Sequence, residues 1–149
     1  MSAEDVEVNL LGSLRMTRLA LPQLQASGSG AVVYISSAVA LAAVQGFSVY
    51  AATKAAVHSL ARSLREELKS SGIRVFEVLP PVVIPGPVRG LDVPKVSAAA
   101  VADAIVDGLE RDREEIRIGR VRQLAVLARV MPSVADRLVM RAFTPRPGA

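Results

Sequence analysis

Apolar and polar positions along this chain switch repeatedly between a helical and an extended period. From residue 3 to 26, Leu10, Leu11, Leu14, Leu19 and Leu21 lay down a broad apolar stripe at helical spacing. Pro22 falls inside that stretch and is expected to bend or end the helix. Ser27, Gly28, Ser29 and Gly30 form a turn cluster. The uncharged, β-branched run Ala31 to Ile35 then suits a strand covered on both faces, as in a parallel sheet. A loop of small residues, broken at Gly46, leads to an Ala-rich helix from Tyr50 to Lys69, with Arg62 and Glu66 favourably spaced on it and Gly72 as its C-terminal cap.

Ile73 to Leu79 reads as a second strand, stopped by Pro80 and Pro81, and a Pro/Gly-rich loop continues to Pro94. Ser97 caps a helix to about Arg111 that turns Val101, Ile105 and Leu109 inward. The alternation from Glu115 to Gly119 predicts a third strand at a sheet edge, and two helices separated by Pro132, the second capped by Ser133, close the chain. Strands alternating with helices argue for an α/β fold with parallel pairing through right-handed crossovers. No internal repeat or long linker interrupts it.

Composition narrows the chemistry. A chain of 149 residues with 51% apolar content is long enough for one domain with a core. Zero Cys excludes disulfides and thiol nucleophiles, and a single His argues against a zinc site. No basic region followed by an apolar run opens the chain, which points to the cytoplasm. The net charge of +4 is uneven: residues 1–110 hold nine Lys/Arg against ten Asp/Glu, whereas residues 111–149 hold nine Arg against four acids. Without interleaved aromatics, this basic C-terminal region (120–149) reads as a solvated helix face and not as a nucleic-acid surface. A weaker alternative is peripheral membrane association through residues 120–143, where Leu124, Leu127, Ala128 and Met131 share a face near several arginines. The uncharged stretch Ala31 to Ala52 is long enough to span a bilayer, but its serines, Gln45 and Gly46 fit a buried strand and helix start better than a transmembrane segment.

Candidate chemistry gathers around Tyr50 and Lys54, four apart and therefore on one helix face. An ammonium beside a phenol stabilises the phenolate, and is expected to lower the phenol pKa so that tyrosine can work as acid or base. Ser37 follows directly on a predicted buried strand, and ligands in α/β sheets bind beyond the carboxyl ends of strands. Asn9 is an amide in a helix interior, where it is a poor helix former. His58 reads as a partly buried, non-catalytic histidine, and Met131 and Met140 as core or interface residues.

Together, "VNLLGSLRMTRLALP", "GAVVYISS", "YAATKAAVHSLARSLREEL" and "IRVFEVLPP" resemble the short-chain dehydrogenase/reductase family over residues 8–81. A looser resemblance, carried by Leu79-Pro80-Pro81 and the basic C-terminal helices, is to DltE-type oxidoreductases. The resemblance implies a partial Rossmann, doubly wound, three-layer α/β/α fold. It implies an NAD(P)-dependent oxidoreductase moving a hydride between the nicotinamide, NADP slightly favoured over NAD, and a small-molecule carbonyl/alcohol substrate. In that scheme Tyr50 exchanges the proton, Lys54 tunes Tyr50 and holds the cofactor ribose, Ser37 binds the reacting oxygen, and Asn9 holds a water linking Lys54 to solvent. Tyr50, Lys54, Pro80, Pro81 and Val83 would face the cofactor. The family also pairs the helices corresponding to 3–26 and 50–70 between subunits, which implies a homo-oligomer and, as an alternative function, a catalytically inactive dimerisation module.

Two departures stand out. Pro81 occupies the position of a family glycine, and Pro85 that of a family threonine. No strand, Gly-rich turn and helix precede Asn9, and Gly28-Ser29-Gly30 lies in the reverse context, after a helix and before a strand. The 149 residues therefore read as one partial domain, the catalytic half of such a fold, with negligible turnover expected from this half alone.

Overall fold

The computed structural model describes residues 3–84, 93 and 95–144. Pro85, Gly86, Pro87 and Pro94, part of the loop expected above, lie outside them.

The first helix is continuous but not uniform. A short α-helical turn, α1 (Ala3–Asp5), opens into a π-helical stretch (Val6–Gly12) and returns to α-helix as α2 (Ser13–Ala26), with Asp5, Gly12 and Ser13 all in right-handed helical backbone. Pro22 does not end it, because Leu21 and Leu24 pack against the core on either side and hold the last turn in place. The apolar stripe divides: Leu10, Leu21 and Leu24 face the core, whereas Leu14 and Leu19 are exposed.

After β1 (Gly30–Ile35), a single 3-10 turn (Ala38–Ala40) lies within the expected loop, and α3 (Ser48–Leu68) follows. Gly72 takes φ +70°, the left-handed conformation its capping role requires, before β2 (Ile73–Leu79). The Pro-rich region is not all loop. It contributes β3 (Val82–Ile84), which pairs in parallel with β4 (Lys95–Ser97); Val82, Val83 and Ile84 show no alternation and follow two prolines, so the pattern reads as loop. Ser97 caps α4 (Ala98–Glu110) as expected, its hydroxyl accepting from Ala100 N–H at 3.1 Å. After β5 (Glu115–Arg117) come α5 (Val121–Val130) and α6 (Pro132–Phe143). Pro132 does not separate these helices from outside, and Ser133 does not cap the second. Pro132 is the first residue of α6, where its missing N–H and fixed φ suit a helix start. Met131 and Met140 are exposed and not core.

The main sheet has parallel order β1-β2-β5, with Val32 beside Val75 and Val78 beside Ile116. In the central β2 every residue except Arg74 is buried, which accounts for its apolar sequence. One sheet face packs Tyr34, Ile73 and Val75 against Val57 and Ala61 of α3 and against α2, and the other packs Val78, Ile116 and Val33 against Val101 and Ile105 of α4. Helices thus cover both faces of a parallel sheet, the three-layer arrangement of a partial Rossmann-like fold. The stretch Ala31 to Ala52 is divided among β1, the 3-10 turn and the start of α3, and among the described residues no helix is long and apolar enough to cross a membrane.

One stripe of α3 fastens it to the sheet. Lys54 Nζ donates to Ile35 O at 3.0 Å, His58 Nδ1 lies 2.7 Å from Glu77 Oε2, and Arg65 Nε donates to Val75 O at 3.0 Å. Residues 54, 58 and 65 recur at helical spacing, so three basic side chains lie in one row along the sheet. His58 is partly buried, as expected, while Glu77 is completely buried and its Oε1 has no hydrogen-bond partner among the described residues.

Candidate active site

The carboxyl ends of the three parallel strands converge on one cavity of about 960 Å³. β1 delivers Ile35 to Val39, β2 delivers Pro80 to Val83, and β5 leads into Arg120, Val121 and Leu124. Backbone bonds stiffen this end: Ser36 N–H donates to Val78 O at 2.9 Å, Ala38 N–H to Pro80 O at 2.9 Å, and Ile118 N–H to Leu79 O at 3.2 Å. Crevices at this end of an α/β sheet are where ligands bind, because strand-to-helix loops there carry side chains on a rigid base.

Ser37, Tyr50 and Lys54 all face this cavity, together with Pro80, Pro81 and Val83. Ser37 sits where extended backbone turns into the 3-10 turn, and its hydroxyl accepts from Val39 N–H at 3.4 Å. Ser36 is buried and its hydroxyl donates to Lys54 O at 3.2 Å, tying the turn to α3. Tyr50 lies in the first turn of α3 with Lys54 one turn on, and the Lys54 ammonium is 5.6 Å from the Tyr50 ring centroid. Asn9 is not brought to the cavity wall. It lies in the π-helical stretch packed against α3, and its carbonyl accepts from the Ser13 hydroxyl at 2.7 Å.

The electrostatics differ from expectation at one point. Burial pushes the Tyr50 hydroxyl above its ordinary value, a hydrogen bond with the Ser37 side chain pulls it down, and the negative charge of Asp5 pushes it up again. The expected lowering by Lys54 is not what governs Tyr50. The ammonium is directed to the Ile35 carbonyl and to the ring face, and burial lowers the pKa of Lys54 itself. The Tyr50 hydroxyl therefore holds its proton more firmly than a free phenol does.

Two charged wall residues were not visible in the motifs. Asp5 comes from the helical turn ahead of the π stretch, and Arg120 from the connection between β5 and α5. The rule that singled out Ser37, a residue just beyond a buried strand, applies equally to Arg120. The far wall is apolar, formed by Leu124 of α5 and Leu138, Val139, Ala142 and Phe143 of α6. Phe143 meets Phe47 edge to face at a centroid distance of 5.9 Å. Leu124, expected to share an outward face in the membrane-surface alternative, is turned into this wall.

The residues fit one part of a nicotinamide dinucleotide. A Tyr hydroxyl and a Lys ammonium one helical turn apart offer polar partners for a ribose diol, and Pro80, Pro81 and Val83 offer an apolar surface for a flat ring. Among the described residues there is no strand, Gly-rich turn and helix of the kind that holds a pyrophosphate.

The profile of the family described as short chain dehydrogenase matches residues 3–90. The uncharacterized oxidoreductase DltE of Bacillus subtilis is 30% identical over 127 residues, covering 81% of this chain and 50% of that protein. A short chain dehydrogenase from Burkholderia cenocepacia, solved in complex with NADP, superposes with a TM-score of 0.80 at 29% identity, covering 93% of this chain and 59% of that one. The bulky-bulky ketone specific alcohol dehydrogenase of Comamonas testosteroni superposes with a TM-score of 0.68 at 26% identity, covering 78% of this chain and 47% of that one. The chain spans about half the length of the curated relatives it matches. By sequence, by the parallel α/β/α layering and by the position of its cavity, the chain belongs to the short-chain dehydrogenase family of oxidoreductases.

Proposed function

We propose that the chain carries the catalytic half of an NAD(P)-dependent oxidoreductase that reduces a carbonyl to an alcohol, with NADP favoured by the Burkholderia neighbour's bound cofactor. The observation that carries this reading is the meeting of Ser37, Tyr50 and Lys54 on one wall of a cavity bounded by Pro80, Pro81 and Val83. When bound, the cofactor supplies the hydride. Ser37 holds the substrate oxygen by hydrogen bond, and Tyr50 gives its hydroxyl proton to that oxygen as negative charge develops there. The upward-shifted Tyr50 keeps that proton at neutral pH, the form that donates in reduction. Lys54 holds the ribose hydroxyls and re-protonates Tyr50. We assign Asn9, on the π-helical stretch that packs against α3 and off the cavity wall, to a water link between Lys54 and solvent. The apolar wall suits a bulky substrate, as does the ketone specificity of the Comamonas relative.

Saturation-transfer NMR with NADPH tests this reading. Nicotinamide and ribose protons of that half should receive saturation from the chain more strongly than adenine protons, and Lys54→Met should remove the contact. Equal or adenine-only saturation would overturn it. Turnover by these 149 residues is expected to be negligible, since no pyrophosphate-holding loop lies among the described residues. Tyr50-dependent NADPH oxidation would show instead that this half suffices.

A second reading is favoured by one observation: α2 and the π stretch expose Val8, Met16 and Leu19, at 66%, 66% and 74%. Such a face on a family member suits association with a second copy through α2 and α3, independent of catalysis.

A further inference from the structure

We propose that Arg120 is a specificity-determining residue, and that the carbonyl substrate carries an anionic group, a carboxylate, joined to the reacting carbon through an apolar body. The substrate class rests on the reductase reading above, but the anion preference is a property of the cavity itself.

Arg120 stands where the chain leaves β5 and enters α5, exposed at the cavity rim yet part of its wall. Among the described residues it is the only guanidinium on that wall. The other cation there, Lys54, already donates to Ile35 O. Several other arginines are engaged: Arg111 and Arg113 pair with Asp107, Arg74 with Asp112, and Arg117 with Glu115. Arg120 pairs with no carboxylate among the described residues. A guanidinium presents a planar fork of donors that matches a carboxylate in two parallel hydrogen bonds.

The surroundings decide which way an anion would lie. Asp5 is on the wall close enough to Tyr50 to act on it electrostatically and offsets the Lys54 charge at the reacting end, which leaves Arg120 as the wall cation without an opposing carboxylate. Leu124 lies one helical turn on from Arg120 and packs in the same apolar cluster as Tyr50, Val139 and Phe143, so the wall that joins the two ends stabilises hydrocarbon and offers nothing to a second polar group. A carbonyl at Tyr50, an apolar middle and a carboxylate at Arg120 satisfy all three regions.

Calorimetric titration of the 149-residue chain with decanoate and with its neutral isostere decanamide, without cofactor, tests this. Decanoate should bind about tenfold more tightly. Arg120→Gln should erase the difference and Arg120→Lys should keep part of it. Arg122→Gln, which removes an exposed arginine off the wall, should leave the difference intact. Equal affinity for the two probes, no binding of either, or a preference that survives Arg120→Gln would overturn the proposal. Because neither cofactor nor turnover enters, a chain that prefers decanoate but fails to contact NADPH would overturn the reductase reading alone. A chain that contacts NADPH without the preference would overturn this proposal alone.

Discussion

Tyr50 and Lys54 make the site's protonation balance visible in stability as well as in chemistry. Tyr50 has a folded pKa above 10.0, so the native chain keeps a proton that the unfolded chain gives up. Its contribution is fully present below pH 10.0 and is lost as pH rises from there through the raised native value. Tyr34, whose hydroxyl shares a hydrogen bond with Thr17 in the core, is raised by burial and adds to the same loss. Lys54 acts in the other direction. Its native pKa lies below 10.5, so the native state sheds that proton first and stability rises between the lowered value and 10.5. Chemical denaturation followed across this alkaline range should show a shallower loss in Tyr50→Phe and a steeper one in Lys54→Met. Identical slopes in all three proteins would contradict the assignment. At the same scale, the sequence made Ser37, Tyr50, Lys54, Pro80 and Pro81 legible because each lies within or just beyond a strongly patterned element. Asp5 and Arg120 were not legible as partners, because their roles depend on which elements meet at one end of the sheet.

Among the elements, α3 and β2 carry the most consequential pairing. Glu77 is a fully buried carboxyl group on the central strand, and its contact with His58 is the one that answers its burial. Removing one partner of a buried pair leaves the other uncompensated, which costs about 3 kcal/mol. His58→Ala should therefore lower the unfolding free energy by about that much in urea. The double variant His58→Leu with Glu77→Leu should recover most of it. A loss no smaller in the double variant would mean that the pair is not what stabilises this contact. The α4–β5 contact depends on a missing side chain: a Cβ at Gly108 would sit 2.4 Å from Ile116 Cδ1. Gly108→Ala gains helix propensity of about 1 kcal/mol but forces Ile116 aside, and overpacking of this kind costs about 1–3 kcal/mol. Reduced stability, partly restored by adding Ile116→Val, is the expected denaturation result. The glycine's role could not be read from the helical pattern, since the atom that forbids a side chain belongs to a strand residue eight positions later. Glu77 was legible only as one of two charged residues in an otherwise apolar strand, and the sequence did not say that His58 would answer it from the helix packed on the sheet. The helix and strand order itself was legible because periods of two and 3.6 persist over whole elements. They fail for β3 and β4, which sit in Pro-rich sequence without sustained alternation, whereas the equally short β5 lies within the alternating run Glu115 to Gly119.

At the scale of the whole molecule, the layers are unequally finished. Among the described residues β1 pairs only with β2, so its other edge offers unpaired backbone groups, while Val8, Met16 and Leu19 stand exposed on the first helix. Exposed edges and apolar faces favour self-association. Sedimentation equilibrium should detect concentration-dependent assembly, and Leu19→Asp should weaken it by about tenfold or more without lowering monomer stability. A strict monomer at high concentration would dispose of association through this face. The π-helical stretch has a different reach. Its wider turns hold a residue beyond the α-helical count, so a one-codon deletion between Leu10 and Gly12 is the kind of change the helix can absorb by reverting to α geometry. Asp5 and the residues around it should then stay in phase, and the phenol of Tyr50 should titrate unchanged in ultraviolet spectra. A titration that moves to lower pH would show that the deletion had turned Asp5 off the cavity wall. In genetic terms, this stretch holds a codon that the first helix can lose without altering the charge beside Tyr50.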